Sequence, residues 1–70
     1  MLADMPNYRA DLYAVGYVWR RTERFDAANP VEAVEITRQW VVALGLNHAV
    51  LYACDGTGLT QHVAKVGAER

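Results

Sequence analysis

The sequence predicts a small α+β domain in which one amphipathic helix packs on one face of a three-stranded, mainly antiparallel sheet, in the order strand, helix, strand, strand. Three features carry that prediction. Residues 12–18 are rich in Tyr and Val, residues 29–45 repeat apolar side chains with a helical period between two capping signals, and residues 49–66 hold two apolar runs around a turn. Seventy residues make a single domain spanning 1–70, because a chain of this size buries only about 60% of its unfolded surface and cannot divide that core.

Residues 1–10 mix polar and apolar side chains without a period, and Pro6-Asn7 is a turn signal, so they read as an N-terminal arm. The first strand follows. Alternation sorts it into a small face, Leu12, Ala14, Gly16 and Val18, and an aromatic face, Tyr13, Val15, Tyr17 and Trp19. Residues 20–25 are polar, and an unbroken strand from 12 to 25 would run about 45 Å, too long for so small a domain. Either residues 20–23 turn and return 24–27 as a short strand, or Gly16 marks a bulge that curls one long strand. The single bent strand is the favoured reading.

In the helix, Asn29 is the cap, Pro30 suits the first turn, Glu32 stands where a capping box needs a carboxylate, and Gly45 ends the element. Ala33, Val34, Ile36, Thr37, Trp40, Val41, Ala43 and Leu44 share its inner half; Glu32, Glu35, Arg38 and Gln39 share the outer, interrupted by Val31 and Val42. After it, residues 49–54 and 59–66 form a hairpin about Asp55-Gly56-Thr57-Gly58, and residues 67–70 are a frayed tail.

One helix covers one face of such a sheet. Some of Tyr13, Val15, Tyr17, Trp19, Val50, Tyr52, Leu59 and Val63 are therefore expected on the uncovered side, where a second copy or another protein would bury them. Self-association is also expected on grounds of size. The chain has one cysteine, which excludes an internal disulfide, and two histidines, too few for a closed zinc site without carboxylates.

The formal net charge of −1 excludes a generally basic nucleic-acid binder, though a local patch is compatible with it. No apolar run approaches the roughly 20 residues of a membrane span, and one cysteine without a leader-like segment fits a cytoplasmic protein with no membrane partner.

Catalysis requires titratable groups in mutual reach, and none of the usual constellations is present. Cys54 with His62 would need one hairpin register: a loop of three residues puts them on one face, and loops of two or four put them on opposite faces. Cys54 reads better as a small hydrophobe, and Asp55 to Gly58 as a tight turn with Asp and Gly at positive φ, not as an acidic catalytic motif. No G-x-G-x-x-G and no P-loop lysine occurs, and no cofactor is expected.

The sequence thus points to a non-enzymatic protein-protein interaction module, an adaptor or inhibitor that self-associates through its aromatic sheet face. Tyr13, Tyr17, Trp19, Arg20, Arg21 and Arg24 are its candidate contact residues. A first alternative is nucleic-acid binding through Arg20, Arg21 and Arg24 with Trp19 stacking. A second is a small-ligand or enzyme site at an oligomer interface, where His48, His62, Cys54 or Asp55 from several chains converge.

Overall fold

In a computed structural model that describes residues 6–68, the chain forms β1 (Asn7–Ala14), β2 (Val18–Asp26), α1 (Pro30–Ala43), β3 (His48–Cys54) and β4 (Thr60–Gly67). All strand pairs are antiparallel, in the order β2-β1-β3-β4. The α+β class with one helix on a sheet holds, but the sheet has four strands, because the segment read as one bent strand is a hairpin. Its turn lies at residues 15–17, ahead of the polar stretch, and residues 7–10, read as part of an arm, begin β1. Residues 1–5 of that arm and residues 69–70 of the expected tail lie outside the described residues.

The helix forms where its signals stand. Asn29 Oδ1 accepts from the Glu32 amide at 2.8 Å, and a Glu32 carboxylate oxygen accepts from the Ala28 amide at 2.6 Å, so two otherwise unpaired donors at the helix entrance are satisfied. At the exit, the Leu46 amide donates to Val41 O and the Gly45 amide to Val42 O, a Schellman arrangement that needs Gly45 at φ +66. Leu46 packs against Val41 beneath it, which closes the turn on the core.

The helix lies over β3 and β4 and reaches β1. Ala33, Thr37 and Val41 are buried, and Val34, Ile36 and Trp40 pack beside them, while Ala43 and Leu44, expected inward, are exposed where the helix ends. Below them the sheet contributes Tyr8, Ala10, Leu12, Ala49, Leu51 and Val66, all buried. Burying a side chain such as Leu12 or Leu51 contributes about 1.5–3 kcal/mol, so these few positions dominate the core. Phe25 connects the distal strand β2 to this core, stacked on Tyr8 and edge-on to Trp40 with ring centroids 5.9 and 5.0 Å away.

Candidate interaction surface

Alternation assigns the other face. From β1 come Asn7, Arg9, Asp11 and Tyr13, from β3 His48, Val50, Tyr52 and Cys54, and from β4 Thr60, His62 and Lys65, since each pairs in register with a neighbour of that set. From β2 come Trp19, Thr22, Arg24 and Asp26. No described element covers this face. Tyr13, Tyr17, Trp19, Val50 and Tyr52 therefore lie on the uncovered side as expected. Val63 does not: a register shift at Leu51/Tyr52 turns it back against the helix-side core.

Two networks organise the face. In the first, the Trp19 indole N–H donates to Thr22 Oγ1 at 3.1 Å, and Thr22 Oγ1 donates to an Asp11 carboxylate oxygen at 2.8 Å. The other Asp11 oxygen accepts from Arg9 at 3.3 Å, and the Arg9 guanidinium also lies 4.5 Å from the centre of the Tyr52 ring. His62 meets the same tyrosine edge-on.

The second network centres on His48. Its ring stacks on Tyr13 at 5.1 Å, and Tyr17 folds back from the turn to lie 4.5 Å from it. Tyr17 does so from φ +60, a left-handed conformation that a bulky side chain adopts at a cost of about 1–2 kcal/mol. Stacking against Tyr13 and His48, with Lys65 Nζ 5.4 Å from the Tyr17 ring centre, offsets that strain. His48 itself is 2% exposed. Asn47 Oδ1 lies 2.9 Å from Nδ1, while Nε2 has no hydrogen-bond partner. Burial first, and the Lys65 charge second, hold the imidazole below its ordinary pKa of 6.5.

The candidate contact residues fall into two groups. Tyr13, Tyr17, Trp19 and Arg24 share the uncovered face. Arg20 and Arg21 do not join them: plain alternation from Arg24 puts Arg21 opposite Leu12 on the helix side, and the register shift between Leu12 and Tyr13 leaves Arg20 outside the alternation. Both instead line a groove of about 410 Å³ with Ala14, Leu44, Gly45 and Leu46, at the exposed C-terminal end of the helix. The three arginines and Trp19 thus form no single patch.

The candidates for chemistry are also separated. The segment between β3 and β4 has an odd number of residues, 55–59, so Cys54, opposite Thr60, and His62, opposite Tyr52, share the uncovered face. His48 stands at the far end of β3, six residues and about 20 Å from Cys54. Asp55 holds the turn: one carboxylate oxygen accepts from the Thr57 hydroxyl at 2.7 Å and the Thr57 amide at 2.9 Å, and these bonds, the hydroxyl's foremost, lower its pKa. Positive φ in that turn belongs to Gly56 and Gly58, not to Asp55 as the sequence suggested. Among the described residues no group of three or more His, Cys, Asp or Glu could hold a metal ion. No described helix is long and apolar enough to cross a membrane.

Sequence reasoning missed His48 and Lys65 as members of the face, and Asp11 and Arg9 as its polar centre. The parity of His48 with Val50 and Tyr52 was a usable signal; the Tyr17 fold-back had none in the sequence. Comparison with protein families, curated proteins and solved structures finds no match to this chain.

Proposed function

We propose that this chain is a non-enzymatic protein-interaction module that self-associates through the β1–β2 end of its uncovered sheet face. The observation that carries this reading is the distribution of exposed apolar side chains. Among the described residues eight large ones are exposed, and four of them, Val15, Tyr17, Val18 and Trp19, fall within five consecutive positions. Scattered exposed hydrophobes are ordinary, whereas Tyr17 and Trp19 bring to the uncovered face the aromatic side chains that contact surfaces favour, with Val18 exposed on the opposite side of the same strand end. Tyr17 is moreover held in place by stacking despite a strained backbone, which presents its ring in one orientation.

Light scattering over a wide concentration range, with Trp19→Ala as the comparison, tests the proposal. Association that rises with concentration and weakens at least tenfold in Trp19→Ala is the expected result. A monomer at every concentration, or association that Trp19→Ala leaves unchanged, overturns it.

A further inference from the structure

We propose that the partner is a second copy of this chain and that the seam is β2, paired antiparallel with its counterpart about a two-fold axis at Thr22 so that two sheets become one. This rests on the self-association reading and narrows its contact from the sheet face to the edge strand that carries Trp19, leaving Tyr17 outside the seam. β2 is a terminal strand of the sheet, nine residues long and exposed along most of its length, and its outer backbone groups face no other described strand. Long edge strands invite pairing, and proteins that avoid it use proline, short edges, charged side chains or bulges. β2 is long and has no proline, and its charges and its bulge at Arg20 restrict pairing to a partner strand that matches them.

The register follows from the bulge. With Arg20 outside the alternation, Val18, Arg21, Glu23 and Phe25 occupy the helix side of β2, and Trp19, Thr22, Arg24 and Asp26 the uncovered side. Two sheets joined edge to edge keep their faces aligned, so residues opposite one another at the seam must share a side. An axis at Thr22 then sets Arg21 opposite Glu23 of the second copy, Trp19 opposite its Arg24 and Val18 opposite its Phe25. Two-fold symmetry repeats each contact.

These are an opposite-charge pair, a cation over an aromatic face and an apolar pair, each favourable across strands. Neighbouring registers lose this match. An axis at Glu23 puts Glu23 against itself and Arg21 against Phe25, and an axis at Arg21 puts Arg21 against itself. Within one chain Arg21 and Glu23 already form an ion pair, Arg21 exposed and Glu23 half-buried, so the seam exchanges the pair within each chain for two pairs between chains.

Reversing one charge at a time separates the seam from the fold. Arg21→Glu and Glu23→Arg each set like charges against one another at both symmetric contacts, and each alone is expected to be monomeric where the unmodified chain is a dimer. An equimolar mixture of the two variants is expected to return to dimer mass, because the reversed charge at 21 of one chain then faces the reversed charge at 23 of the other. Mixing cannot repair the Arg21–Glu23 pair within either chain, so recovery reports only the contact between chains.

Association of the unmodified chain that survives in both variants, or variants that stay monomeric when mixed, would overturn the seam and leave self-association standing. An unmodified chain that never associates overturns both readings. If a variant fails to fold, amide exchange of the unmodified chain decides: protection in β2 that rises with concentration, against constant protection in β4, is expected, and no change in β2 refutes the seam.

Discussion

The two hairpins share a motif but differ in what holds them. In β3–β4, helix cover buries Ala49, Leu51 and Val66, and the turn is resolved locally by glycines at φ +85 and +96 and by the Asp55–Thr57 bonds. In β1–β2, one strand is alternately buried and the other is exposed along most of its length, and the turn sets Gly16 at φ +81 and Tyr17 at φ +60, the latter compensated by stacking on Tyr13 of the hairpin and on His48 of β3. The first turn is specified by its own residues. The second relies in addition on His48 of a neighbouring strand.

The sharpest way to break the contrast is at its core. Leu51→Ala should lower unfolding free energy by about 2–5 kcal/mol, whereas Arg24→Ala, on β2, should change it by less than about 0.5 kcal/mol at concentrations where the chain is monomeric. Urea denaturation compares them, and equal effects would contradict the helix-centred core. The turns come next. A Cβ at Gly58 would meet nothing within 4 Å, so Gly58→Ala tests backbone strain alone and should cost about 1–2 kcal/mol. Tyr17→Gly removes strain and stacking together, and should shift stability by less than about 1 kcal/mol.

That substitution has a clearer readout at His48. With the Tyr17 ring gone, water reaches the imidazole and its pKa should rise toward 6.5, which NMR titration of the ring protons would follow. In the unmodified chain the folded pKa lies below the unfolded one, so the unfolded state binds more protons in the window beneath 6.5. Stability from this group is complete above pH 6.5 and is lost as pH falls through the folded value. Tyr13, Tyr17, Lys65 and Asn47 are the polar and charged groups around it, and none supplies a carboxylate to reverse the sign. His48→Gln should therefore flatten the decline in urea midpoint between pH 7.5 and 5.5, the smallest of these effects.

The legibility of each element followed from where its determinants lie. Asn29, Pro30, Glu32 and Gly45 act on backbone groups within a turn of themselves, so the helix could be read to its ends. The Asp55 turn was legible for the same reason. β2 was not, since only Glu23 and Phe25 of its nine residues are part-buried and leave too little apolar alternation to detect, and Arg20 to Arg24 read as polar chain. Val15-Gly16-Tyr17 lacks the Asn or Asp that marks tight turns, and its conformation depends on His48, distant in sequence. The aromatic members of the face were found by parity. Parity alone separates Arg21 from Arg24, three residues apart, whereas the displacement of Arg20 escaped it, because one bulge residue inverts parity beyond itself.

The strand order has a kinetic consequence. β1–β2 and β3–β4 each zip from a short turn, but the central β1–β3 ladder opens at Tyr13↔His48 and cannot begin until the intervening chain is closed into a loop. Within that loop the fourteen residues of α1 span about 21 Å as a helix and nearly 50 Å when extended, so a helix already formed draws the two hairpins within reach of each other. Asn29 and Gly45, which themselves belong to no strand, would then govern how fast the sheet is completed as well as where the helix ends.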